Sequence, residues 1–266
     1  MKFSLVVIWE ERELEREKPV YRKNGFLSLK KVANMDKLIL TMLEGSLVSI
    51  KIFFLTLLFS LPLGLPLAAA RMSKNPLLRV PAKIFLLVVR GTPLILQLIF
   101  VYFAPYYLFK VSYDRFTAVI VAMSVNYAAY FAEIYRGGIE SIPKGQYEAG
   151  KVLGFTKAQT FFRIILPQVI KRILPATGNE VITLVKDTAL AQTIGVSELF
   201  RVAQNHASRL TSTTPIFIAG VFYFIMNWIV SFVFARIEKK LDYYKYKSIL
   251  QSDIEIFEVL SVGNNR

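Results

Sequence analysis

The chain contains no cysteine and only one histidine, His206, among its 266 residues. The first absence removes disulfide frameworks, thiolate metal sites and cysteine nucleophiles together, and says nothing of redox compartment. The second makes a multi-histidine metal centre impossible. No paired catalytic aspartates appear either, so no catalytic residue, resident metal or cofactor is expected. Acidic residues are scarce as well: 19 Asp and Glu stand against 33 Lys and Arg, a net charge of +14. In a soluble protein that surplus would suggest nucleic acid. Here the cations alternate with long apolar runs, 54% of residues are hydrophobic and mean hydropathy is +0.45. That pattern excludes disorder and points to a membrane.

A helix needs about 20 mainly apolar residues to cross a hydrocarbon core of about 30 Å. Uncharged stretches at residues 52–70, 91–109, 116–132 and 210–235 approach or meet this. A fifth span is expected over residues 173–196, although it carries Glu180, Lys186 and Asp187. Lys and Arg then set the orientation. Residues 71–90 hold five, 136–172 seven and 236–247 five, a total of 17, whereas the two alternate connections hold four. Cytoplasmic loops accumulate cations, so five spans place the N-terminus outside and the C-terminus in the cytoplasm.

The first 44 residues strain this picture, because they carry nine Lys and Arg on the outer side. The opening apolar run, residues 3–9, is too short to span and lacks the core and cleavage site of a signal peptide. Residues 1–34 are read as a charged, partly helical surface extension, with Met35 as an alternative start. The chain thus divides into an extension and entry to the first span (1–44), a transmembrane domain (45–240) and a cytoplasmic tail (241–266).

The longest cytoplasmic connection reads GGIESIPKGQYEAGKVLGFTKAQTFFRIILPQVIKR. Pro143 and Gly145 stop the preceding helix, residues 146–153 form a short helix and Gly154 breaks it. A second amphipathic piece follows over residues 156–166, which Pro167 ends or bends. A short helix pinned between breakers at the end of a bundle is a docking knob or, on the residues alone, a helix lying on lipid headgroups.

Glu148-Ala149-Gly150, then Gly154, then Ile164-x-Leu166-Pro167 matches the spacing of the "EAA" signature of permease subunits of ATP-binding-cassette importers. RGTPLILQLIFVYF, NYAAYFAEIYRGGIESIPKGQYEAG and GNEVITLVKDTALAQTIGVSEL resemble the polar amino acid branch of that family, and the likeness covers roughly residues 40–240. One departure is Gly150 in place of the usual second alanine, which is expected to loosen the helix by about 1 kcal/mol.

The resemblance implies an all-α integral membrane fold, five helices in a MetI-like bundle in a bacterial inner membrane. It implies that residues 146–155 are the coupling helix, with Glu148, Ala149, Gly150 and Gly154 meeting the ATPase. Glu148 near the helix start would suit the dipole, and Gly154 would permit close backbone approach. Implied partners are a dimer of ATP-binding subunits, a second permease copy or close relative, and an extracytoplasmic binding protein that delivers a polar amino acid. The chain itself would catalyse no covalent step. The same connection contains GQYEAGKV, a near match to a phosphate-binding loop, but Val152 stands where Mg²⁺ needs a hydroxyl. A passive channel or an ion-coupled carrier is the rival function.

Ionisable groups inside a membrane cost about 2.5–3.5 kcal/mol each on insertion scales and need a partner or a task. At 1.5 Å per residue, Asn126 lies about 15 Å into the third span, while Glu180 and Lys186 lie about 12 and 21 Å beyond Arg172. Glu180, Thr183 and Asp187 share one helix face, Asn179, Thr183 and Lys186 a neighbouring one, and Lys186 and Asp187 diverge. Asn126, Tyr130 and Glu133 form a stripe on the third span. Two readings stay open: Asn126, Glu180, Thr183, Lys186 and Asp187 line a translocation path, or they clamp helices together. Glu133 is expected to pair locally with Arg136, Gln97 to bond between helices, Asn227 and Trp228 to pack or to lie at an interface, and His206 to be solvated.

Overall fold

The computed structural model describes residues 3–112 and 114–241, with side chains from Asp36 onward. The side chains of the N-terminal extension and the whole tail beyond residue 241 therefore lie outside the described residues. Nine α-helices follow in order: α1 (Phe3–Met72), α2 (Pro76–Gly91), α3 (Leu94–Phe109), α4 (Arg115–Glu140), α5 (Lys144–Val152), α6 (Lys157–Thr160), α7 (Leu166–Asp187), α8 (Leu199–Leu210) and α9 (Thr214–Leu241). A π-helical turn, Phe161–Ile165, joins α6 to α7, and a 3₁₀ segment, Thr188–Ile194, follows α7. No strand occurs among the described residues.

Local chemistry sets the ends. Asn75 Oδ1 accepts from the Leu77 amide at 2.9 Å, and Pro76 starts α2, where its missing N–H is harmless. Asp114 caps α4 by accepting from the amides of Phe116 (2.9 Å) and Thr117 (3.0 Å) and from the Thr117 hydroxyl. These bonds to the charged form hold the Asp114 carboxyl below its ordinary range, the Thr117 hydroxyl contributing most. Thr156 and Gln159 close a reciprocal capping box on α6.

The buried axis of the bundle is α4, which packs most extensively against α1. Its alanines 118, 122, 128, 129 and 132 are all buried, as are Ser49, Thr56, Ser60 and Ala68 of α1. Small residues let helices approach where no hydrophobic force drives them together. Gly64 marks the closest approach: a Cβ there would lie 3.1 Å from the side chains of Phe131 and Tyr135. By contrast α9 buries little beyond Pro215 and Ala219, and Trp228, stacked on Phe232, is largely exposed.

Among the described residues, three helical segments are long and apolar enough to span: Asp36–Met72, Arg115–Glu140 and Thr214–Leu241. The span expected over residues 91–109 is corrected. Helices α2 and α3 pass the same test only as a pair, bent by 109° at Thr92 and Pro93. Proline forces the residue before it out of the helical region, and Thr92 is extended (φ −115°, ψ 145°). A count of four spans thus includes the broken pair. Helix α7, within the segment expected as a further span, runs beside α4 and α9 but is too rich in charge to qualify on composition.

Helix α7 is not broken at Pro175 or Gly178 but runs continuously from Leu166 to Asp187. Nor does Pro167 end a helix. The carbonyl four residues before it, that of Arg163, lies in the wide π turn, which gives the proline ring room.

Candidate functional site

Two groups of residues concentrate the polar chemistry: the α5–α6 connection outside the bundle and a set of ties within it. Helix α5 is seated by a small apolar cluster in which Ile142, Ile165 and Val169 are buried and Tyr147 and Phe161 pack against them. Gln168 of α7 donates to Gln146 at 3.1 Å, and Arg172 donates to the Ser141 carbonyl at 2.5 Å. The connection is thereby fixed to the ends of both α4 and α7.

The four residues expected to carry coupling have separate duties. Gly150 is buried, and a Cβ on it would lie 2.6 Å from both Cγ2 and Oγ1 of Thr160. Besides the helix-propensity cost expected of it, this glycine has a packing role: the close seat of α5 on α6 requires it. Gly154 has no described atom of this chain within 4 Å of an added Cβ, and its φ is +73°. The Phe155 amide donates to the Gly150 carbonyl at 2.9 Å and the Gly154 amide to Lys151 at 3.0 Å, which closes α5 in a left-handed cap. Glu148 is the fifth residue of α5, beyond the first turn, so the dipole argument for it fails. Glu148 and Ala149 are exposed, and beside them Val152 (88%) and Leu153 (66%) present apolar surface to solvent.

Within the bundle, Asn126 is buried and donates to Gln97 at 3.0 Å. Gln97 in turn donates to the carbonyls of Val89 (2.7 Å) and Thr92 (3.2 Å) and to the Thr92 hydroxyl (2.8 Å). It thus satisfies backbone groups that the α2–α3 bend would otherwise leave bare in an apolar medium. The inter-helix bond expected of Gln97 is present, and it also closes the bend.

Asp187 accepts from the Tyr127 hydroxyl at 2.8 Å, tying the end of α7 to the centre of α4. Lys186 is exposed while Asp187 is half-buried, so the two diverge. The Thr183 hydroxyl is spent on the Asn179 carbonyl at 3.0 Å, and Glu180 is half-buried. The five candidates are therefore not one cluster: Asn126 and Asp187 each hold a different partner, and Lys186 faces outward.

Sequence reasoning missed Tyr127, although it adjoins Asn126 and carries the only buried phenol on that turn's inner face. It also missed most of the environment of Glu133. The expected pair with Arg136 is present at 2.7 and 3.0 Å, but Arg71 of α1 and Arg90 of α2 also approach to 3.7 Å. His206 is half-buried beside Thr41 Oγ1 at 3.0 Å rather than solvated. Asn227 is packed with its Oδ1 buried and without a hydrogen bond among the described residues.

Glu198, given no role from sequence, is fully buried as the cap of α8. It accepts from the amides of Phe200 and Arg201 (both 2.7 Å), from Tyr223 (2.8 Å) and from Ser49 (3.4 Å). Burial pushes its carboxyl above the ordinary range, and those four donors offset part of the rise. It joins α1, α8 and α9 at the end of the bundle remote from α5. These arrangements bind, orient and brace; they contain no nucleophile paired with a base.

Residues 60–243 match the family described as binding-protein-dependent transport system inner membrane component. The chain is 38% identical over 204 residues to the putative glutamine transport system permease protein GlnP of Rickettsia felis, covering 76% of this chain and 94% of that one. It is 42% identical over 205 residues to the L-cystine transport system permease protein TcyB of Bacillus subtilis, covering 76% and 87%. A crystal structure of an amino acid ABC transporter with histidines superimposes with a TM-score of 0.72 at 34% identity, over 78% of this chain and 97% of that one.

Proposed function

This chain belongs to the family of binding-protein-dependent transport system inner membrane components, and on that premise we propose that it is the permease subunit of an ATP-driven importer of polar amino acids. The observation that carries the proposal is the α5–α6 connection. A helix is rigidly seated on α4 and α7, capped at Gly154, and turns Glu148, Ala149, Val152 and Leu153 outward. That is the surface a separate ATPase needs in order to move the bundle.

In this reading residues 45–240 form the transmembrane domain, residues 1–44 its N-terminal extension and residues 241–266 its tail. The N-terminus lies outside and the C-terminus in the cytoplasm, as the distribution of Lys and Arg favours. Two permease chains, alike or closely related, share the path, and each offers its α5 to one ATP-binding subunit. An extracytoplasmic binding protein delivers cargo to the opposite face. Closure of the ATPases shifts α5, and the bundle switches between inward-facing and outward-facing states.

Asn126, Glu180, Thr183, Lys186 and Asp187 are the proposed path residues. An amino acid presents a carboxylate and an ammonium, which an exposed Lys186 and the half-buried Glu180 and Asp187 complement in sign. The names of the relatives nominate glutamine and cystine as first cargoes to test.

The test is reconstitution in vesicles with the ATPase and binding protein. Uptake of a labelled amino acid should require all three components and ATP. Equal uptake by the chain alone would establish a carrier or channel instead, and strict dependence on ATP with no amino acid among the cargoes would establish another solute.

A further inference from the structure

We propose that the chain holds an anionic phospholipid, by its phosphate, in a cavity between the end of α1, the second half of α2 and the last turns of α4. The cavity has a volume of about 340 Å³ and is lined chiefly by Arg71, Lys83, Leu86, Leu87, Arg90 and Glu133. That volume falls at the lower end of the range of small-ligand sites, about 300–1,000 Å³.

The charges around it do not balance. Arg71, Lys83, Arg90 and Arg136 stand against Glu133 and Glu140, with Glu180 also acting on Arg90, which leaves a surplus of one positive charge. Glu133 is already engaged by Arg136, which donates to it at 2.7 and 3.0 Å. Arg71 and Arg90 approach the same carboxylate only to 3.7 Å, beyond hydrogen-bonding distance, so it does not take up their donors. Guanidinium and ammonium groups converging on a cavity with surplus charge suit a phosphate oxyanion.

Two features select a lipid over a soluble anion. Helix α2, which supplies Lys83 and Arg90, also exposes Leu77, Leu78, Val80, Ile84 and Leu87. Leu77 is 80% exposed and Leu87, on the cavity wall, 71%. An acyl chain would cover that apolar track; a free anion would leave it bare. The cavity also lies at the depth where headgroups sit. Arg71 closes the last turn of α1, and Glu133 to Glu140 are the last two turns of α4 before α5, so the site is at the bundle end facing water. Basic pockets between membrane helices at that level bind anionic headgroups. None of the proposed path or coupling residues lines the cavity, so the inference does not depend on them.

Native mass spectrometry of the purified chain, alone and assembled with its partners, tests this with phosphatidylglycerol and phosphatidylcholine titrated in neutral detergent. Wild type should retain phosphatidylglycerol in clear preference. Arg71→Gln with Lys83→Gln should reduce that retention roughly tenfold or more, since each basic residue near a lipid surface contributes about fivefold. Arg71→Lys with Lys83→Arg should keep it, and Lys239→Gln with Lys240→Gln, on the far end of α9, should not alter it. Lys83→Gln alone, at an exposed position, serves if the double variant fails to fold. Equal retention of the two lipids, or equal loss in the α9 control, overturns the proposal. So does displacement by millimolar inorganic phosphate, which would mark a soluble-anion site, or loss of preference on assembly, which would mark a protein interface.

Discussion

The phenol of Tyr127 donates to Oδ2 of Asp187 across 2.8 Å, and this bond joins the buried centre of α4 to the final residue of α7. Tyr127→Phe keeps the ring and removes the donor. Leaving a half-buried carboxylate without it costs about 1–3 kcal/mol, so the melting temperature in detergent should fall by several degrees. In a double-mutant cycle with Asp187→Asn, the combined loss should be smaller than the sum of the single losses. Strict additivity would show that the bond contributes nothing.

Replacing Gln97 tests the bend. Gln97→Leu withdraws the amide from the carbonyls of Val89 and Thr92, and each bare group in an apolar medium costs about 1–3 kcal/mol. The variant should be less stable than Asn126→Leu, which severs only the tie to α4. Melting curves for the two, measured side by side, decide it; equal losses would mean that the carbonyls find other donors.

Gly150→Ala should dislodge α5 from α6, because the new methyl meets Thr160 at 2.6 Å. Overpacking of this kind costs about 1–3 kcal/mol. Adding Thr160→Ala removes both clashing atoms and should restore part of the loss. Hydrogen exchange at the amides of Leu153, Gly154 and Phe155 reads the seat of α5 directly. Unchanged protection in Gly150→Ala would refute the steric argument.

The cap of α4 carries a pH signature. The Asp114 carboxyl titrates below its ordinary value of 3.8, so its folded pKa is depressed and its stabilisation is present above that value. Stability relative to Asp114→Asn should therefore be constant at neutral pH and shrink as pH falls below about 3.8 toward the lowered folded value. Paired thermal melts across that window give the answer, and a gap that widens on acidification would contradict it.

How much could be read from the chain depended on how local the determinant was. Gly154 announces the end of α5 because a left-handed residue is a one-residue decision, and α5 begins within two residues of the expected position. The pair Glu133–Arg136 is three residues apart on one helix and equally legible. Arg71 and Arg90 reach Glu133 from other helices, and no spacing in the sequence could show that. Pro93 signals a break, but the bend between α2 and α3 is held by Gln97 meeting Asn126 across the bundle. Pro167 and Pro175 are accommodated within the helical course, with a wide turn ahead of the first, and their positions in the sequence do not show this. Depth and helical face, which single out the path residues, place groups at a level but cannot say which neighbour each one takes.

The wide turn at Phe161–Ile165 joins α6 to α7 without interrupting the helical course, so Lys157 to Asp187 forms one rod about 45 Å long at 1.5 Å per residue. One end carries Thr160 under α5, and the other ends at the Tyr127 bond. A see-saw tilt of about 5° around the midpoint of such a rod moves its tips about 2 Å in opposite senses. A displacement felt at Gly150 would therefore have one unbroken helical route to the carboxylate of Asp187.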